Sequence, residues 1–337
     1  MDWNFATTLI GSQPYKSAEE ALAKILDGRV SCPSWPQLPM RGYTESMYVQ
    51  TGCNLPGLKI IKNKAVVDLE DYDPTDVYTA IVSDDIDFFK YPMEIFTGFY
   101  KMIERDVSGF KAIKGQITGP ISEGLQIVDT TGRPVIYDET YCEIVRKTIN
   151  MSAKWQAKQL SMRNDNVIIF FDEPSLSLLG SPFVSISDEQ AKNWINDSLS
   201  EVDCYRAVHC CGNTNWALLL NTNIDILSID AYRYGENLVM YPDELSEFLG
   251  KGGSIAWGII PNTDEQIVNE TVWSLANRMD AILKKLEEKG IDRKLAARHS
   301  IITPQCGLGS LDAKHVDNVL DLMKGVSIEM KGRYGFK

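Results

Sequence analysis

Five apolar residues run without a break into two acids and a proline at Val167-Ile168-Ile169-Phe170-Phe171-Asp172-Glu173-Pro174. A run this short, β-branched and aromatic reads as a strand buried on both faces, as in a sheet covered by helices. The carboxylates mark the end at which the strand leaves the core. Side chains alternate along a strand, and Pro174 holds Glu173 extended, so Asp172 and Glu173 face opposite ways. Only one of them can enter a pocket.

The same pattern recurs on either side of this stretch. Ala6–Gly11, Phe110–Ile117, Tyr205–Cys211, Ile224–Asp230, Ser254–Ile259 and Ser300–Gln305 are short apolar runs that end in Gly, Asp, Cys or turn residues. A weaker eighth strand is expected between Ile60 and Val82. Amphipathic stretches separate the runs. Ser17-Ala18-Glu19-Glu20 and Ser187-Asp188-Glu189-Gln190 have the form of capping boxes. Helical periodicity covers Glu139 to Met162, Asp264 to Lys289 with Gly290 as its stop, and Asp312 to Met323. About eight parallel strands with crossover helices predict a TIM (β/α)8 barrel, one domain over residues 1–337. A doubly wound sheet would carry a glycine-rich first turn, and Gly11-Ser12-Gln13-Pro14 is not one. Cys32 to Gly57 is rich in proline and glycine and reads as a long excursion over the barrel mouth.

Composition narrows the function. The 337 residues carry a net charge of −12, with 46 acidic against 34 basic residues. Such a balance disfavours nucleic acid and anionic membrane as partners. No run is long enough to span a bilayer. Seven cysteines at irregular spacing argue for a reducing, cytoplasmic setting, and the start of the chain lacks the pattern of a secretory signal.

In a TIM barrel the chemistry sits at the C-terminal ends of the strands. Here those ends supply Ser12, Thr118, Asp172 with Glu173, His209 with Cys211, Asp230 and Cys306. His209 and Cys211 share one face of their strand, and Cys210 points away. Barrel closure can bring Cys306 to the same mouth. One imidazole and two thiolates match a catalytic zinc site with an open fourth position. The alternative is that His209 and the cysteines are packed core residues. Asp172 can bind an ammonium group, or cap a helix. Asp230 can be a fourth ligand or an acid behind the site. Ile10-Gly11-Ser12 and Thr118-Gly119-Pro120 allow close backbone approach to a ligand, or are ordinary turns.

Several motifs together resemble the catalytic half of cobalamin-independent methionine synthase. They are Thr7-Thr8-Leu9-Ile10-Gly11-Ser12, Asp172-Glu173-Pro174, His209-Cys210-Cys211, Leu227-Ser228-Ile229-Asp230-Ala231 and Pro304-Gln305-Cys306-Gly307-Leu308, in that order. His209-Cys210-Cys211-Gly212-Asn213-Thr214 and Thr118-Gly119-Pro120 are also similar to zinc methyltransferases that demethylate corrinoid proteins. Both groups belong to the superfamily of uroporphyrinogen decarboxylase. The resemblance implies zinc on His209, Cys211 and Cys306. It implies Asp172 on the amino group of an amino-acid thiol, homocysteine, with Ile10 and Ser12 holding its carboxylate and Gly11 and Thr118 also in the substrate site. The family has a glutamate where this chain has Asp230, so Asp230 is a possible fourth ligand or a catalytic acid.

The chain departs from the family at the end of the seventh strand. Trp257-Gly258-Ile259-Ile260-Pro261-Asn262 lacks the histidine that would assist a folate leaving group. The folate-using enzyme also has two barrels, and this length holds one. The implied reaction is therefore zinc-dependent methyl transfer to homocysteine, forming methionine, with methylcobalamin or a methylated corrinoid protein as donor. Transfer to coenzyme M, a metal-free decarboxylase of the uroporphyrinogen type and a non-catalytic methyl-binding scaffold are the alternatives.

Overall fold

The computed structural model describes residues 1–337. Seven parallel strands form one curled sheet. Their order is β1 (Ala6–Thr7), β10 (Ser300–Pro304), β9 (Ser254–Ile260), β8 (Ile226–Ile229), β7 (Tyr205–Cys210), β6 (Val167–Asp172) and β4 (Ile113–Thr118). These are the seven segments that the apolar runs marked.

The sheet does not close as an eight-stranded barrel, because no ladder joins β1 to β4. Two single bridges cross the gap, Thr8 to Cys32 and Ser34 to Lys114. The Cys32 N–H donates to the Thr7 carbonyl at 2.9 Å, and the Lys114 N–H donates to the Pro33 carbonyl at 2.8 Å. The proline-rich stretch thus begins as a stave and not as an excursion. Prolines 33 and 36 have no N–H to give, which limits it to bridges. The region between Ile60 and Val82 is corrected as well. Its strands β2 (Lys59–Ile61) and β3 (Lys64–Val67) pair with each other, and β3 pairs with β5 (Val128–Asp129), in a separate small sheet.

Later residues of the same stretch do cover the mouth. The short helix Met47–Gly52 starts at Ser46, whose hydroxyl accepts from the Val49 N–H. It is pinned to the end of β4: the Thr118 N–H donates to Thr51 Oγ1 at 2.9 Å, and the Thr118 hydroxyl donates to the Met47 carbonyl at 3.1 Å.

The covering helices follow their sequence signals with two adjustments. Ser187 and Gln190 form a complete capping box, and Ser17 caps the helix Ala18–Ile25 through the Glu20 N–H. The long helix runs Glu139–Ser161. The expected helix from Asp264 is two, Asp264–Asn269 and Val272–Glu288, because Thr271 and Ser274 form their own capping box. The last helix runs on to Val316–Tyr334, ending at Gly335 with φ +69°. No helix is long and apolar enough to cross a membrane.

Alternation divides the core in two. Ala6, Ile168, Phe170, Ala207, Ile226 and Ile301 belong to a cluster of 11 buried residues inside the curl. Their neighbours in the strands join a cluster of 81 between sheet and helices. The inner side chains of one end form the rim where the candidate site lies.

Candidate metal centre

Strand register builds the site. Thr118 pairs with Asp172, Asp172 with His209, and His209 with Ser228. Four polar residues therefore stand on one level at the C-terminal rim. Ala207 lies in the inner cluster, so His209, two residues on, shares that face. Cys210 points the other way and packs, fully buried, in the outer cluster. A register shift between Thr303 and Pro304 precedes Cys306. Irregularities of this kind re-aim the residues beyond them.

The ligand atoms of His209, Cys211 and Cys306 all lie within 4.8 Å of one another. Donors held at zinc-ligand distances in a tetrahedron stand about 3.5–4 Å apart, so small side-chain movements suffice. His209 Nδ1 is 3.0 Å from Ser228 Oγ, while its Nε2 is buried and has no hydrogen-bond partner. A histidine oriented through one nitrogen with the other free is the usual state of a metal ligand. Cys211 is held down to about 4, first by the Cys306 thiol beside it and then by the His209 ring. The Cys306 thiol is pushed up, first by Cys211 beside it and then by burial. An orphaned imidazole nitrogen beside a ready thiolate fits a soft divalent ion, and three protein donors leave a fourth position for a substrate. All seven cysteines are free.

The two adjacent carboxylates part company. Glu173 turns outward and is fully buried. It accepts from the N–H groups of Ile121 and Ser122 at 2.8 Å each, and from the Ser122 hydroxyl at 2.7 Å. It thus caps the helix Pro120–Gln126, and Gly119 makes room for it, since a Cβ there would stand 2.4 Å from Oε1. Asp172 turns inward. Its Oδ1 is buried without a partner, and burial raises its carboxyl to about 6.

Other residues singled out in the sequence are spread around the rim. Asp230 is not one of the donors that lie within 4.8 Å of one another. It accepts from the Arg233 N–H at 2.9 Å, capping a helical turn, and from Gln305 Nε2 at 3.1 Å. Thr118 is engaged by the helix Met47–Gly52 and does not face an open mouth. Ile10 closes the inner cluster, and Ser12 Oγ accepts from the Gly309 N–H at 3.2 Å.

Two buried charges escaped the sequence reading. Lys114 is fully buried inside the curl, and burial lowers its ammonium to about 7. Its signal was visible: a lysine inside the otherwise buried run of β4. Glu123 is fully buried with both oxygens unpartnered, and burial raises its carboxyl well above the usual range. It lies mid-helix, where nothing in the sequence separates it from a surface glutamate.

No family model and no curated protein matches the chain. Solved structures do. A B12-independent methionine synthase from Shewanella sp. W3-18-1, in complex with selenomethionine, superimposes with a TM-score of 0.56 at 16% identity, over 98% of each chain. A structure described as a vitamin-B12-independent methionine synthase from Listeria monocytogenes gives a TM-score of 0.54 at 13% identity, over 94% of this chain and 85% of that one. The likeness is one of fold. It also shows that a chain of about this length carries the B12-independent description, so length alone gives no reason to prefer a corrinoid donor.

Proposed function

We propose that the protein is a methyltransferase acting on the thiol of homocysteine, with residues 1–337 as one catalytic unit. The observation that carries this reading is the convergence of His209, Cys211 and Cys306 on one point. Asp172 stands in register beside His209 with a free carboxylate oxygen. Three soft donors suit a thiol-binding zinc, and one unpaired acid suits an ammonium. An amino-acid thiol presents both groups at once.

Zinc at this trio would bind the substrate thiol and lower its pKa, so that it is a thiolate near neutral pH. The remaining roles belong to the chain. Ser228 orients the His209 ring through Nδ1. Asp172 selects amino-acid thiols over simple ones and repels sulfonates such as coenzyme M. The helix Met47–Gly52 covers the rim on the Thr118 side and limits water there. The thiolate sulfur attacks the methyl group, the bond from methyl to its carrier breaks, and the electron pair leaves with the carrier.

For the donor we favour methylcobalamin or a methylated corrinoid protein. The support is chemical: β9 ends in Trp257–Asn262 without an imidazole to protonate a leaving group. Cobalt(I) leaves without a proton, whereas a folate nitrogen needs one. The comparisons lend the corrinoid no support, since both structures are described as B12-independent. Purified protein of known zinc content, given homocysteine and either methylcobalamin or methyl-folate, tests the whole reading. The expected result is methionine from methylcobalamin, abolished by a chelator. Zinc-containing protein that makes no methionine from either donor would end it.

A further inference from the structure

Charge is missing from one side of the rim. Charged residues make up 24% of the chain. Yet no Asp, Glu, Lys or Arg occurs in residues 174–187 after β6, in residues 207–224 across the end of β7, or in residues 237–242 beyond β8. The charges that flank these loops are engaged elsewhere. Glu236 pairs with Lys285 at 2.6 Å, and Asp188 accepts from the Asn215 side chain at 2.8 Å. The loops after β9 and β10 differ, with exposed acids at Asp264, Glu265 and Asp312.

The three uncharged loops touch one another beside Cys211. Gly212 lies against Ser177, and a Cβ on it would stand 2.5 Å from Ser177 Cβ. The Thr214 hydroxyl donates to the Leu176 carbonyl at 3.0 Å, and Asn237 Nδ2 donates to Asn213 Oδ1 at 2.9 Å. The loops therefore form one continuous surface that borders the candidate metal centre. Leu178, Phe183 and Met240 stand out from it, 44%, 86% and 78% exposed. A single exposed apolar side chain is ordinary. Three of them on joined loops that carry no charge make a recognition face, because depletion of charge around exposed apolar groups is what marks one. Asn213 Nδ2 and Asn237 Oδ1 have no partner in the chain, which adds a free amide donor and a free acceptor.

Such a face suits a large ligand that is apolar across its middle, edged with amides and without net charge. Methylcobalamin has that chemistry: its corrin ring is fringed with carboxamides, and its charges cancel. A methyl-folate carries glutamate carboxylates, for which this side offers no cation, and the net charge of −12 gives no attraction. We propose that the uncharged loops after β6, β7 and β8 seat the corrin ring of methylcobalamin, with its methyl group toward Cys211. This rests on the reading of the site as a methyltransferase with a corrinoid donor, and it names the side of the rim from which that donor approaches.

The test is equilibrium dialysis of zinc-containing protein against methylcobalamin, read by its visible absorption, with homocysteine titrated in parallel by calorimetry. L178E and M240E each place a carboxylate on the face, and both side chains are exposed, so the fold is not at stake. Each is expected to weaken methylcobalamin by about tenfold, because the carboxylate must give up water beneath the ring. Zinc content and homocysteine affinity are expected to stay within about twofold, since neither side chain is in the metal trio. D264K changes a charge on the opposite side and is expected to leave methylcobalamin within about twofold. A loss in neither L178E nor M240E, or an equal loss in D264K, overturns the proposal. Wild-type protein that binds homocysteine but not methylcobalamin, or that binds methyl-folate more tightly, also overturns it and leaves the thiol site standing. Zinc-containing wild-type protein that binds no homocysteine overturns the reading of the site itself.

Discussion

The two halves of the rim treat their polar groups differently. On the β4–β6 half the rim residues Thr118 and Glu173 are served, while Glu123 in the helix after β4 is not. Thr118 is bonded through both its N–H and its hydroxyl, and Glu173 collects three donors. On the β7–β10 half the polar groups are not. His209 Nε2 and Thr303 Oγ1 are buried without partners, and the Cys211 and Cys306 sulfurs converge on His209. Asp172 sits at the boundary, with one oxygen unpartnered. Buried polar groups are nearly always bonded, so a cluster that is not marks the place where something else is expected to bind. Under the proposed function, Thr118 and Glu173 hold the fold together, and the unpartnered groups around His209 are where a ligand is expected.

Substitutions should break the molecule along that line. The largest effect is expected on the unserved half. C211S, C306S or H209A should reduce bound zinc to a small fraction of one per chain and cut methyl transfer by about 10³-fold, with the fold intact by circular dichroism. Retained zinc in all three would remove the metal centre. On the served half, E173A should leave three buried donors without an acceptor and cost about 3 kcal/mol in urea unfolding, with zinc content of the folded protein unchanged. D172N should do the reverse of E173A. Stability should hold or rise, because an unpaired buried carboxylate is removed, while the KM for homocysteine rises by about 10- to 100-fold. A stability loss matching that of E173A would erase the distinction between the two acids.

Two smaller effects sharpen the comparison. S228A should loosen the His209 ring and weaken zinc by about tenfold in a chelator competition. The last concerns pH. The Lys114 ammonium is held down to about 7 by burial, against an ordinary value of 10.5. Above about 7 the unfolded chain holds a proton that the folded chain lacks, so the contribution is lost as pH falls toward 7. Stability should rise by about 1 kcal/mol from pH 7 to pH 8 relative to K114M, measured by paired denaturant curves. Parallel curves for the two proteins would show that the amine stays charged in the fold.

The sequence was legible where it obeyed periodicity. Seven buried strands and the order of helices follow from apolar runs and caps, and the inward turn of His209 with Cys211, and outward turn of Cys210, follows from alternation alone. It was misleading where proline hid a stave. Cys32 to Trp35 bridges the gap between β1 and β4 with a composition that reads as loop, because the bonds it makes avoid the missing N–H groups. It was silent where a role depends on partners. Asp172 and Glu173 are equal as residue types, and only their neighbours distinguish a cap from a free acid. Asp230 was offered by its place at a strand end as a ligand or as an acid behind the site, and only the structure shows that its oxygens accept from Arg233 and Gln305.

The sequence by itself therefore determined the strand set, the level of the rim and the kinds of donor that reach it, because these depend on the two-residue repeat of a strand. The tertiary structure decided which donors meet, which are already spent and what closes the curl. Those outcomes depend on contacts between residues far apart in the chain, and no local pattern records them.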